Sequence, residues 1–352
     1  MPNKLTNYMK WDYNDLMNWN DESDIIPNVT ALDISRKDLT ELPVKIFKLV
    51  TLQSLHCDCN KLTELPKDIE KLTQLQTLYC NHNKLTELPK SIENLTQLQI
   101  FICHENNIKV LPKEIGNLTS LHTFSCHSNE LINLPKELAQ LTLLQKLSCF
   151  SNKLIELPEE ISNLTQLQTL HCDSNKLTKL PKEIWNLINL EQFSFAENEL
   201  MELSSDIGKL IKLEALVCSS NQLKELPKEI GNLVKLQKLF VHNNQLTSLP
   251  KEIGNLSQLR ELYCDNNQLT LLPKEIGNLS QLRELYCDNN QLSALPKEIG
   301  QLSKLEVLHC ENNKLTNMPE EINQLIKFLK SYSCVGNQFV GIHLSGREYG
   351  EW

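Results

Sequence analysis

The sequence predicts an α/β solenoid, an array of stacked repeats that each supply one β-strand, one turn and a short helical return segment. Three observations predict this fold class: a recurring asparagine, leucines at fixed positions around it, and a proline on the return path. A period of roughly 20–50 residues indicates a stacked array. Here the asparagine returns every 23 residues, at Asn60, Asn83, Asn106, Asn129, Asn152, Asn175, Asn198, Asn221, Asn244, Asn267, Asn290 and Asn313. Another copy follows after 24 residues at Asn337, and an opening copy has Lys37 in this place.

The strand of each repeat precedes its asparagine. In the repeat that contains Asn267, Leu262 and Cys264 are two residues apart, so they share one face of an extended strand. Tyr263 lies between them and points to the opposite face. A buried asparagine after the strand can bond backbone groups that have no ladder partner. The pattern therefore predicts an inward leucine and cysteine, an outward residue between them, and an asparagine with a structural role.

The return segment begins at a proline that recurs in 12 of 13 repeats, with Ser204 as the exception. Proline lacks an N–H group and cannot occupy a central strand, so the return side is not a second sheet. Farther along, Ile276 and Leu279 are three residues apart, which suits a short helical or 3₁₀ turn. No repeat can bury its leucines alone, and we therefore expect neighbouring repeats to share one continuous core.

These residues resemble the leucine-rich repeat family, in its 23-residue intracellular class with an L-P-x-x-I-x-x-L return segment. That class includes Ras-suppressor and Scribble-type proteins and many bacterial repeat proteins. The resemblance extends over roughly residues 29–345. It implies a right-handed solenoid curved into a horseshoe, with a concave parallel β-sheet of about 14 strands, one per repeat. Members of the family bind different partners through different concave residues, so the resemblance assigns no site residue here.

The unbroken period predicts one elongated array between two caps, because repeat arrays are quasi-one-dimensional. We place the N-terminal cap at residues 1–28, the repeats at 29–337 and the C-terminal cap at 338–352. The first segment reads as a short amphipathic cap, and its alternative is an acidic docking peptide. Its apolar residues are Trp11, Tyr13, Leu16, Met17 and Trp19, its acidic ones are Asp12, Asp15, Asp21, Glu22 and Asp24, and the closing cap is expected to use Phe339, Ile342 and Trp352.

Charge and hydropathy argue against several classes of partner. The net charge is −9, and lysines alternate with glutamates along each return segment. Without a basic block, nucleic acid and anionic membranes are poor partners. The N-terminus lacks the apolar region of a secretion signal, and no segment has the length of a membrane span. We therefore expect a monomer in the cytoplasm.

The cysteines follow the repeat. Cys59 aside, all of the 12 cysteines occupy the inward strand position, where Ile34, Phe195 and Val241 also occur, so they are expected to act as small buried hydrophobes. Parallel strands about 4.8 Å apart hold their Cβ atoms too far apart for good disulfide geometry, which favours a reducing compartment. The column contains Cys57, Cys80, Cys103, Cys126, Cys149, Cys172, Cys218, Cys264, Cys287, Cys310 and Cys334.

Catalytic and metal-binding patterns receive little support. Histidine–cysteine neighbours such as His171 and Cys172 face opposite sides of a strand, so they cannot share a metal ion. Cys59 and His82 hold equivalent places at two successive strand ends, and we interpret their pairing as incidental. The sequence contains no glycine-rich phosphate loop, no G-x-S-x-G and no H-E-x-x-H motif. We therefore expect a protein that is not an enzyme and needs no metal or other cofactor.

The outward residue between the two inward strand positions is the best indicator of a binding site, because core packing does not dictate its identity. Large side chains fill this column in five successive repeats, which we call the aromatic stripe: Val217, Phe240, Tyr263, Tyr286 and His309. Acidic residues accompany the stripe, as in the rim around an interface centre: Glu261, Glu284, Asp265, Asp288 and Glu311. A secondary patch in the same column consists of His56, Tyr79 and Ile102.

A second interpretation of the stripe is lateral packing of bulky neighbours along a sheet. Residues 254–276 and 277–299 are identical at 21 of 23 positions, so Tyr286 and its acidic neighbours can be a recent copy of Tyr263 and its surroundings. The two tyrosines then count as one observation. Binding on the concave face and packing within the sheet both remain open from the sequence.

The expected function is that of a non-catalytic protein–protein interaction scaffold or adaptor, for example in intracellular signalling. Its partner would carry a basic and apolar surface, because the stripe is aromatic with acidic neighbours. One alternative is an effector that acts in a host cell. The other is a subunit of an enzyme such as a repeat-type ubiquitin ligase, a class that appends a catalytic domain. Only about 15 residues follow Asn337, which leaves little room for one.

Overall fold

The computed structural model describes residues 9–22 and 26–339. Asp24, Ile342 and Trp352, to which the sequence assigns roles in the two caps, lie outside the described residues. The chain divides into two compact units, Met1–Leu200 and Met201–Trp352, a division that the unbroken sequence period does not predict. We call them unit 1 and unit 2. In the described part of the chain, no helix combines the length and apolar character that a membrane span needs.

The predicted α/β repeat is confirmed in both units. Each asparagine follows a short strand, and successive strands within a unit pair in parallel. Unit 1 contains β1 Met9–Asp12, β2 Val29–Asp33, β3 Ser54–His56, β4 Thr77–Tyr79, β5 Ile100–Ile102, β6 Thr123–Ser125, β7 Lys146–Ser148, β8 Thr169–His171 and β9 Gln192–Ser194. Unit 2 contains β10 Ala215–Val217, β11 Lys238–Phe240, β12 Glu261–Tyr263, β13 Glu284–Tyr286, β14 Val307–His309 and β15 Ser331–Ser333.

The strand register equals the sequence period. Leu262 lies beside Leu285 and Tyr263 beside Tyr286, so each residue pairs with its equivalent 23 positions later. Inward columns therefore stack into a core, and outward columns stack into ladders on the other face of the sheet. This register turns a column of the sequence alignment into a row of touching side chains.

The return segments are 3₁₀ helices, as the spacing predicts. The proline before each one supplies a carbonyl for the first turn, as when the N–H of Ile276 donates to Pro273 O at 3.0 Å. Gly277 lies so close to the next repeat that a Cβ there would be 2.7 Å from the Glu298 carbonyl oxygen, which explains the glycine. These helices are Val44–Lys48, Lys67–Lys71, Lys90–Asn94, Lys113–Asn117, Lys136–Gln140, Glu159–Asn163, Lys182–Asn186, Ser205–Lys209, Lys228–Asn232, Lys251–Asn255, Lys274–Asn278 and Lys297–Gln301.

The two ends of the described chain depart from the repeat. At the start, β1 pairs with β2, and the short helix α1 (Tyr13–Asn18) buries Leu16. Asp12 caps this helix, and Lys45 Nζ donates to three carbonyls at its C-terminal end, at 3.1 to 3.2 Å. Near the other end, the return segment becomes the α-helix α2 (Glu320–Leu325) followed by a 3₁₀ turn at Ile326–Phe328. The strand of β1 brings the described total to fifteen, against about 14 expected from the repeats alone.

The asparagines join neighbouring repeats. Asn175 Nδ2 donates to the carbonyl oxygens of Cys172 and Asp173, each at 3.0 Å, within its own turn. It also donates to Cys149 O at 3.2 Å, and its Oδ1 accepts from the Leu154 N–H at 2.9 Å. Both of these partners belong to the preceding repeat. The sequence predicts bonds within the turn alone, so the structure extends the role of the asparagine to holding repeats together.

All twelve cysteines are free, and burial is confirmed for ten of the eleven in the inward column. Cys334, on the last described strand, is partly exposed. Burial raises the pKa of the Cys149 and Cys218 thiols to about 12 and raises that of Cys59 less, since its strand-end position leaves it more open.

Candidate functional site

The aromatic stripe forms a continuous row of rings in unit 2. The Phe240 and Tyr263 rings stack with centroids 4.3 Å apart and planes 20° apart. Tyr263 meets Tyr286 edge-on at 4.6 Å, and Tyr286 meets His309 in the same way at 4.9 Å. Val217, the first member, lies beside Phe240 in the register. All five side chains are only partly exposed. The lateral packing expected from the sheet is thus present, and the rings still leave surface open to a partner.

Acidic side chains hold the rings in place. The Tyr263 hydroxyl donates to Glu284 Oε2 at 2.6 Å, while Glu261 forms an ion pair with Lys238 at 3.0 Å. Burial, followed by this hydrogen bond to a carboxylate, raises the pKa of the Tyr263 phenol. The pKa of Tyr286 is raised by burial and by the nearby charges of Glu284, Asp288 and Asp265. Both phenols therefore stay neutral at physiological pH.

An open depression of about 430 Å³ lies beside the tyrosines. Three carboxylates line it, and neither lysine nor arginine is among its described lining residues, so its potential is negative. Asp288 Oδ1 accepts the Glu311 N–H at 2.7 Å, and burial of Asp288 raises the pKa of its carboxyl group. The complete lining is His242, Tyr263, Asp265, Tyr286, Asp288, Asn289, His309 and Glu311.

Six of the ten residues that the sequence assigns to the main site meet at this depression. Val217 and Phe240 extend the row of rings beyond it, while Glu261 and Glu284 lie on the strands and are engaged with Lys238 and Tyr263. His242 and Asn289 complete the lining and were not predicted. His242 occupies what we call the second outward column, one residue after the inward cysteine position, and reading this column would have identified it.

The secondary patch lies in unit 1. The His56 and Tyr79 rings are tilted by 34° with centroids 4.5 Å apart, and Ile102 lies beside Tyr79 in the register. The next three outward residues of this column are Ser125, Ser148 and His171, so the patch is short.

A further row of rings lies in unit 1 and was not predicted from the sequence. His104 stacks on His127 at 4.1 Å and His127 on Phe150 at 3.9 Å, with their planes within 12° and 11°. We call these three residues the histidine stack. They belong to the second outward column, where three successive ring residues are the signal that could have found them. Burial, reinforced by the neighbouring histidines, lowers the pKa of His127 to about 4, so its ring is neutral near pH 7.

Family models identify the repeat. A model described as a leucine-rich repeat region matches residues 59–153 and 197–290, together more than half of the chain. Further leucine-rich repeat models match residues 27–85, 166–187 and 280–325. A search of the curated proteins finds no match to this sequence.

Solved structures agree with the family models. A leucine-rich repeat protein of Leptospira interrogans is 42% identical with a TM-score of 0.84, and the match covers 89% of this chain and 80% of that one. The functional domain of InlJ from Listeria monocytogenes, which includes a cysteine ladder, is 26% identical with a TM-score of 0.66, covering 87% and 67%.

A plant peptide hormone receptor in complex with RGF2 is 29% identical with a TM-score of 0.69, covering 88% of this chain and 59% of that one. Both the matched family models and these structures contain the repeated strand, turn and return segment described above. The chain therefore belongs to the leucine-rich repeat family.

Proposed function

We propose that this protein is a non-catalytic interaction scaffold whose unit 2 binds a protein segment carrying a lysine or arginine beside an apolar residue. One observation carries the proposal: carboxylates and tyrosine rings converge on a single open depression of the outward sheet face. A binding function agrees with the family, whose solved members include a receptor in complex with RGF2. The host-cell effector and the enzyme subunit remain alternatives to this role.

The depression suits a cationic side chain for two reasons. Asp265, Asp288 and Glu311 supply negative charge on its wall, and a guanidinium group can form paired hydrogen bonds with a carboxylate. The faces of Tyr263 and Tyr286 can receive the same cation through a cation–π interaction, because the rings stay neutral. An apolar neighbour of that cation would then pack on Phe240.

We also propose that the protein acts in the cytoplasm. The support is chemical: its inward column contains free cysteines that are buried and lie in successive strands. A reducing compartment keeps such thiols free during folding, before the core protects them.

Selection from a library of displayed random peptides tests the binding proposal. Immobilised full-length chain should enrich peptides in which arginine or lysine adjoins an apolar residue. The variant Tyr263→Ala with Tyr286→Ala should lose this enrichment, because truncating aromatic anchors at an interface centre typically costs about 2 kcal/mol or more.

A matched control removes two rings from the same outward column in unit 1. The variant His56→Ala with Tyr79→Ala should select the same peptides as the unmodified chain. If this variant loses the peptides and the unit 2 variant retains them, binding lies at the secondary patch. Enrichment of acidic peptides would contradict the proposed chemistry.

A further inference from the structure

Three side chains with metal-binding atoms meet on the outward face of unit 1. His82 Nδ1 is 2.6 Å from Glu105 Oε2, and His104 Nδ1 is 3.6 Å from Glu105 Oε1. One ligand atom from each of the three residues can be chosen so that all lie within 4.8 Å of one another. We propose that His82, His104 and Glu105 bind a late first-row divalent cation such as Zn²⁺. This site is separate from the proposed binding depression of unit 2.

The backbone fixes the places of the three residues. The His82 N–H donates to the His104 carbonyl oxygen and the Glu105 N–H to the His127 carbonyl oxygen, both at 3.0 Å. These bonds tie successive strand ends together, so the histidines and the carboxylate start from a rigid scaffold. The stacking of the His104 ring on His127 further restricts its orientation. A metal site gains affinity when its ligands are held in this way.

The Nδ1 atom of His104 provides a second observation. It is buried and has no hydrogen-bond partner among the described residues, and the side chain is only 19% exposed. A buried ring nitrogen without a partner is unfavourable, since it has lost its water without gaining another bond. A cation placed between this nitrogen, His82 and Glu105 would satisfy it.

The donor set selects the class of cation. Two imidazole nitrogens and one carboxylate suit Zn²⁺, Co²⁺, Ni²⁺ and Cu²⁺, whereas Mg²⁺ and Ca²⁺ prefer oxygen ligands. The His82 side chain is 45% exposed and that of Glu105 is 43% exposed. The remaining coordination positions would therefore be open to water or to a ligand from another molecule.

A cluster of similar size in unit 2 makes a weaker site. It contains Asp288, His309 and Glu311 and offers one imidazole in place of two. Asp288 Oδ1 already accepts the Glu311 N–H, and His309 Nε2 lies 2.7 Å from Ser331 Oγ. Because these atoms have partners, the proposal concerns unit 1.

Calorimetric titration of metal-free protein with Zn²⁺ tests the site. The Cys59→Ser background removes the exposed thiol of the neighbouring repeat, and the result expected is binding of one equivalent. Loss of a group that merely supports a metal ligand lowers affinity about 10–100-fold, so His82→Ala and His104→Ala should each lower it at least about 100-fold. The visible absorption of added Co²⁺ should report nitrogen ligation and vanish in the same variants.

The control is His56→Ala, which removes a histidine from the same face of unit 1 outside the cluster and should leave Zn²⁺ affinity unchanged. Circular dichroism of every variant checks that the repeat fold persists. The proposal is overturned if the Cys59→Ser protein binds no Zn²⁺ at about 1 mM, a concentration that even a weak site of millimolar Kd would register. It is equally overturned if folded His82→Ala and His104→Ala proteins retain its affinity.

Discussion

Unit 1 and unit 2 each carry a row of rings on the outward face, yet the two rows differ in column and in charge. The histidine stack of unit 1 lies in the second outward column, with parallel rings about 4 Å apart. The aromatic stripe of unit 2 lies in the first outward column and borders three carboxylates. The strand register is the same in both units. The backbone therefore provides parallel ladders, and the residue chosen for each ladder decides which ligand a unit can attract.

The largest expected effect concerns what the two units share. Asn175→Ala in unit 1 and Asn267→Ala in unit 2 each remove bonds to two successive repeats and leave buried backbone groups unpaired. Each change should lower the free energy of unfolding by about 1–3 kcal/mol. Denaturant titration of the two variants measures this loss.

A difference between the two asparagine variants larger than the experimental error would break the equivalence of the units. Unchanged stability in either variant, together with loss of a bound peptide, would show that the asparagine contacts a partner instead of the scaffold.

The next effect should separate the units. Tyr263→Ala with Tyr286→Ala should weaken binding of a selected cationic peptide by roughly 30-fold or more, equivalent to about 2 kcal/mol. His127→Ala with Phe150→Ala removes two stacked rings of unit 1 and should leave that affinity unchanged. Fluorescence anisotropy with a labelled peptide gives both values.

Melting temperatures of the same two variants sharpen the comparison. We expect small changes, because partly exposed substitutions usually alter stability by about 0.5 kcal/mol or less. A fall of many degrees in the tyrosine variant would mean that the stripe serves sheet packing and not binding.

A smaller effect follows from the charge of the depression. The raised pKa of Asp288 means that its carboxyl group takes up a proton at a higher pH than an ordinary aspartate. A bound cation favours the ionised form, so peptide affinity should fall severalfold as the pH is lowered through this pKa. Affinity measured across the mildly acidic range reports the fall.

The matched variant is Asp288→Asn, which can still accept the Glu311 N–H. It should bind more weakly at neutral pH and lose this component of the pH dependence, while any contribution of His309 or His242 stays. An unaltered pH profile would show that Asp288 does not face the cation.

The smallest effect concerns the repeat that lacks its proline. Ser204 has φ −63° and ψ 144°, close to the values of the prolines in other repeats, and its side chain caps the 3₁₀ helix by accepting the Asp206 N–H at 3.2 Å. Ser204→Pro should stabilise by up to about 1 kcal/mol through the unfolded chain, less the lost cap. Hydrogen exchange of residues 201–211 measures it, and faster exchange would contradict the prediction.

The sequence predicts the scaffold better than the site. The 23-residue period determines the register, which is why the order of residues alone is enough to place Phe240, Tyr263, Tyr286 and His309 in one row. The period does not reveal side-chain contacts between columns. The approach of His82 to Glu105 and of His104 to the same carboxylate depends on rotamers and burial, which a column of letters does not contain.

The equality of register and period has a consequence for how this protein can change. Because every strand pairs with its equivalent 23 residues later, insertion of one whole repeat gives each new residue a neighbour of the kind it already had. The segments 254–276 and 277–299, identical at 21 of 23 positions, show such a copy in place. Unequal recombination can thus lengthen an outward ladder by one strand, about 4.8 Å, without disturbing the core. Point substitutions can then give the copied tyrosine a different ligand.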